Sequence, residues 1–173
     1  MQDIFNETSK LPNAELRDTL PLWRRPGFLI RRAHQIHQAL FLEECSEFNL
    51  TPIQYGVLTE LFDHPGPDQI TLARELGIDR TNVADVLQRL EKRGFIVRKT
   101  AEHDRRMKLV SLTSEGKEVL MAMFDSMKES QKKLMAPFSE EEKATFISLL
   151  LRLVTENNHL GRTDFNPQTR IKK

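Results

Sequence analysis

The sequence predicts a mainly α-helical chain with one small β-hairpin, and three observations carry that expectation. Apolar residues recur at helical spacing through most of the chain. Two short helical patterns lie back to back, closed by Gly77 and Gly94. The apolar period changes to two only over Phe95–Thr100 and Leu109–Thr113, on either side of a short charged turn.

Residues 1–22 have weak periodicity together with Pro12 and Pro21, and read as an N-terminal arm. Residues 23–50 hold a first helix, with Leu29, Ala33, Ile36 and Leu40 forming a stripe that runs to about Phe48. Thr51-Pro52-Ile53-Gln54 is a strong helix start, with Thr at the N-cap, Pro at the first position and Gln reaching back. That helix continues through Val57, Leu58, Leu61 and Phe62 and stops at Pro65-Gly66-Pro67. Thr71 opens a short helix through Leu72, Ala73 and Leu76. Asp79 caps the next, which buries Val83, Val86, Leu87 and Leu90. After the hairpin, one long helix from Ser114 carries Leu120, Met123, Phe124, Met127 and Leu134 until Pro137. Ser139 and Glu142 form a capping box for a last helix bearing Phe146, Ile147, Leu150 and Val154. Residues 51–113 thus make one lobe and 114–157 a pair of terminal helices. Residues 158–173 form a basic tail with few apolar anchors.

Composition narrows the function. The chain has 173 residues, 26 Lys+Arg against 25 Asp+Glu, a formal net charge of +1, and one cysteine. One cysteine excludes an internal disulfide and a cysteine-only metal cage. No apolar run approaches the ~18 residues of a membrane span, and Asp3, Asn6 and Glu7 stand where a signal peptide would be basic and then apolar. The expectation is a soluble, cytoplasmic chain with no membrane partner. The seven glycines are too scattered for a phosphate-cradling loop, and no Gly-x-Ser-x-Gly is present. An enzyme, a cofactor and a bound metal are therefore not expected.

Near-neutral charge argues at first sight against a polyanionic partner, but the charge is unevenly placed. Residues 71–108 hold ten basic residues against six acidic ones, and the tail 159–173 holds four against one. Local field steers a polyanion more than net charge does. Within this segment, small Ala73 lets two helices approach and Gly77 supplies the tight turn. Arg80, Thr81, Asn82, Asp85 and Arg89 then fall on the outward face of the second helix, the geometry with which a recognition helix enters a major groove. Asn suits adenine, Arg guanine and Thr a thymine methyl, while Asp85 either accepts from cytosine or faces away. Arg74 precedes the turn. Asp104, Arg105, Arg106 and Lys108 lie at or just behind the hairpin tip, where Arg suits a minor groove or flanking phosphates. Helix–turn–helix followed by a basic-tipped hairpin is a winged helix–turn–helix, and double-stranded DNA is the expected partner. A nonspecific architectural DNA binder would be more basic overall.

Leu90-Glu-Lys-Arg-Gly-Phe-Ile-Val-Arg98, followed by Asp104-Arg-Arg106 and by Leu112-Thr113, resembles the MarR family of winged helix–turn–helix transcriptional regulators. The wing signature is Asp104, Arg106, then five residues to Leu112-Thr113, and the resemblance covers about residues 25–157. It implies a homodimeric, ligand-responsive regulator, usually a repressor, of pseudo-palindromic operators, with N- and C-terminal dimerisation helices. Apolar faces on the terminal helices (Met123, Phe124, Met127, Leu150, Val154) independently favour a partner chain. The first helix sets Arg31, His34 and His37 near Trp23 and other aromatics, with Tyr55 on the next helix. Such a set suits a small aromatic acid, or an aromatic acyl-CoA in the aromatic-acid-catabolism-like branch that the resemblance implies. The alternative is a redox- or metal-sensing repressor of the same fold, through Cys45 or through His34, His37 and Glu44.

Overall fold

The computed structural model describes residues 21–101 and 107–161. The chain divides between Ala39 and Leu40 into two units. In the first, a 3-10 turn at Leu22–Arg24 leads into α1, Pro26–Cys45. Pro26 occupies the first helical position, where its missing N–H costs nothing. The helical ladder opens with the Leu29 N–H on the Arg25 carbonyl at 3.1 Å.

The second unit contains the end of α1, a 3-10 turn at Ser46–Phe48, and helices α2 (Pro52–Asp63), α3 (Gln69–Leu76) and α4 (Arg80–Lys92). Strands β1 (Ile96–Thr100) and β2 (Lys108–Leu112) follow. They pair antiparallel from Ile96↔Leu112 to Thr100↔Lys108. Helices α5 (Ser114–Ala122), α6 (Phe124–Met135) and α7 (Glu140–Glu156) complete the order. The expected mainly α architecture with a hairpin wing is thus present. Both capping boxes form as read, Thr51 with Gln54 and Ser139 with Glu142.

Several boundaries differ from the expectation, each for a local reason. Helix α3 starts at Gln69 because Asp68 caps it: its carboxylate accepts from Ile70 N, Thr71 N and the Thr71 hydroxyl at 2.7–3.1 Å. Asp79 does hold the N-cap position of α4, but its side chain makes no cap bond and instead accepts from Asn82 Nδ2 at 3.4 Å. Phe95 closes α4, with its N–H on the Leu90 carbonyl, so the strand begins one residue later. The long helix after the wing is interrupted at Met123, where ψ is −13° against about −42° in a regular helix.

The core lies between α2, α3, α4 and β2 and against α5. Leu58, Leu61, Leu72, Leu87, Leu90 and Val110 are fully buried there. Pro65-Gly66-Pro67, read as a plain breaker, does more than stop α2. Gly66 N donates to the Val110 carbonyl and Val110 N to the Pro67 carbonyl, with a further bridge between Asp68 and Leu109. This short extended run covers the outer edge of β2.

Candidate nucleic-acid interface

Helix α4 separates its residues cleanly. Val83, Leu87 and Leu90 are buried, while Arg80, Thr81, Asn82, Asp85 and Arg89 are exposed. The approach of α3 depends on Ala73, only 2% exposed, and the turn on Gly77, whose φ of 62° is left-handed. Asp85 stands on the stripe of Thr81 and Arg89, one turn from each, so it shares the outward face. Arg74 is exposed on α3.

The wing is fixed to α4 at its base. Arg98 of β1 donates from Nε to Glu91 Oε2 at 2.9 Å and again from Nη2. These bonds hold the Glu91 carboxyl below its ordinary pKa, against the opposing effect of burial. Lys108 is exposed, but its Nζ donates to Thr100 Oγ1 across the last rung of the hairpin at 2.7 Å. Asp104, Arg105 and Arg106 lie outside the described residues.

In the first unit, Trp23 is 61% exposed and the Arg31 guanidinium lies 5.2 Å over the Phe28 ring. His34 and His37 occupy successive turns, and the Gln38 amide nitrogen is 3.3 Å from His34 Nε2. His37 is half-buried. Burial, and then the neighbouring His34, push its pKa below 6.5. Residues 21–42 contain four arginines, two histidines and no acid, a local positive field that the balance of the whole chain conceals. Tyr55 belongs to the second unit, edge-on to Phe41 with ring centres 6.4 Å apart.

Other expectations are corrected. Met123 and Met127, read as partner-facing, are buried in the chain's own core; Phe124, Leu150 and Val154 are exposed. Cys45 is fully buried, its Sγ 3.6 Å from Met127 Sδ. Burial, and then the carboxylates of Glu44 and Glu47, push its thiol pKa up, which disfavours the reactive thiolate a redox sensor needs. Glu44, considered with the two histidines for a metal, instead pairs with Lys133, which also meets Glu43 at 2.7 Å. Among the described residues no group of three or more His, Cys, Asp or Glu is placed to hold a metal ion.

Sequence reasoning missed Asp68, Arg93 and the several bonds of Thr113. Arg93 and Thr113 act through backbone carbonyls distant in sequence, which side-chain pattern does not register, whereas Asp68 is a local N-cap whose signal was available just ahead of Thr71 in Asp68-Gln69-Ile70.

The family model described as MarR family matches residues 48–107. The PcaV transcriptional regulator from Streptomyces coelicolor, solved with its natural ligand, is 34% identical, with a TM-score of 0.75 over 79% of this chain and 96% of its own. Bordetella bronchiseptica BpsR, solved to explain regulation of its DNA binding by 6-hydroxynicotinic acid, is 26% identical, with a TM-score of 0.75 over 78% of this chain and 96% of its own. The transcriptional repressor CouR, bound to a 23-mer DNA duplex, is 29% identical, with a TM-score of 0.71 over 84% of this chain and 99% of its own.

Proposed function

The chain belongs to the MarR family of DNA-binding transcriptional regulators, and from that premise we propose that it is a sequence-specific repressor that a small aromatic acid releases from its operator. The observation that carries the DNA reading is the outward face of α4, where five polar residues stand clear of a fully packed apolar face. In this reading the N-terminal half of α4 enters the major groove. Asn82 pairs with adenine, Arg80 and Arg89 with guanine or phosphate, Thr81 with a thymine methyl, and Asp85 with the cytosine amino group. Arg74 and Lys108 take phosphates, and Asp104, Arg105 and Arg106, which lie outside the described residues, are the candidates for the flanking minor groove.

The active species is a homodimer on a pseudo-palindromic duplex in the cytoplasm. Its support is α7, which has no buried residue although it carries Ile147, Leu150, Leu151 and Val154, a face which a second chain would cover. The effector is an aromatic carboxylate or its CoA thioester, held by Arg31, His34 and His37, with Trp23 kept as a further candidate. The acid-free run of α1 and the regulation of BpsR by 6-hydroxynicotinic acid support that class. Tyr55 is kept as a secondary effector candidate.

The test selects a duplex from a random pool with the wild-type chain, then repeats the binding with Asn82→Ala. The expected outcome is a recovered palindrome, relaxed preference at one base position in the variant, and release by an aromatic acid that also raises the melting temperature. Equal loss on all sequences would refute base reading by Asn82, and a flat thermal screen of aromatic acids and their thioesters would refute the effector class.

A further inference from the structure

Arg93 follows directly after α4, at the point where the hairpin departs. Its Nη1 donates to the Asn49 carbonyl at 2.6 Å and its Nη2 to the Phe48 carbonyl at 2.9 Å. The guanidinium lies 4.5 Å over the Phe95 ring. These carbonyls close the 3-10 turn that extends α1. No helical N–H follows to satisfy them, because Asn49 turns left-handed at φ 51° and ψ 38°. Asn49 is the one non-glycine residue with positive φ among those described. A planar cation with two parallel donors fits this helix end by charge and by shape, and an ammonium does not reproduce the fork.

On its other side Arg93 belongs to the α4 terminus. Its own N–H bonds the Arg89 carbonyl, Gly94 N bonds Glu91, and Phe95 N bonds Leu90. Gly94, at φ 76°, makes the turn. One side chain therefore joins the Ser46–Phe48 turn to the end of α4 across 45 residues of sequence. The Phe95 ring at the root of the wing braces the same guanidinium.

We infer that Arg93 is a positioning residue for DNA recognition: its fork on Phe48 and Asn49 sets α4 and the wing against the end of the α1 extension, so operator affinity depends on Arg93 without Arg93 touching DNA. The inference rests on the reading of α4 as the DNA-facing helix. Displacement of the Ser46–Phe48 turn would be passed to α4 through this contact.

The experiment uses the full chain and a duplex that the wild type selects from a random pool, with affinity measured by fluorescence anisotropy over a range of salt. Arg93→Gln and Arg93→Lys should each weaken binding about tenfold, with an unchanged slope of log affinity on log salt. The drop should exceed what any change in the folded fraction, read from urea unfolding, accounts for. A slope reduced by about one would make Arg93 a phosphate contact and overturn the inference. Wild-type affinity in Arg93→Lys would reduce its role to charge and overturn it equally, as would a loss explained entirely by unfolding. Failure of the wild type to select any duplex would overturn the underlying reading of α4.

Discussion

Thr113 shows how much a single residue at a joint can hold. Its hydroxyl donates to the Gly94 carbonyl at 2.6 Å and accepts from Gly116 N at 3.0 Å, and its N–H bonds the Phe95 carbonyl. It therefore caps α5 and clasps the turn after α4. Gly116 makes this closeness possible, since a Cβ there would stand 2.0 Å from the Phe95 carbonyl oxygen. Thr113→Val keeps the shape and removes the hydroxyl. It should cost about 1–3 kcal/mol, as a lost cap plus one lost hydrogen bond, measured by urea unfolding; wild-type stability would refute the clasp. His37 offers a second test at this scale. Its folded pKa lies below 6.5, so the unfolded chain takes up the proton first as pH falls. The associated stability is complete above about pH 6.5 and declines below it. His37→Gln should lose less melting temperature than the wild type between neutral and mildly acidic pH. An identical pH dependence in the two proteins would count against a perturbed His37.

Among the elements, α4 and α7 make the instructive contrast. Helix α4 buries one face in its own unit and shows the other. Helix α7 buries nothing, although Ile147, Leu150, Leu151 and Val154 are apolar. Covering such a surface is favourable by about 25 cal/mol per Å², and a second chain with the same face can do so under twofold symmetry. Leu150→Glu should therefore shift the chain from dimer to monomer in light scattering while leaving its helical content intact. A variant that remains dimeric would move the interface elsewhere. The helices and the hairpin were legible because period, glycine and caps all agreed. Their ends were less so: Thr71 read as the start of α3 and Asp79 as the cap of α4, and only the folded chain shows the Asp68 carboxylate over the first turn of α3. Likewise, Met123 and Met127 share helical spacing with Phe124, but spacing alone does not say which apolar residues the chain's own core absorbs.

At the scale of the whole molecule, a net charge of +1 conceals a segregated arrangement. Positive charge gathers in residues 21–42, in 71–108 and in the tail, and the acids lie largely elsewhere. That segregation was readable from the sequence, as were the helix–turn–helix order, the wing and the outward face of α4, because each depends on residue type and local period. The proposed effector residues stand out only as a composition of Arg, His and aromatics along one helix. What the sequence determined by itself is the set of elements and the chemistry each one presents. What the tertiary structure alone decided is which groups meet across long intervals: Arg93 on Phe48 and Asn49, Thr113 on Gly94, Cys45 against Met127. The physical reason is that such contacts are made by backbone carbonyls and packed atoms that chain folding brings together, and no local pattern encodes their meeting.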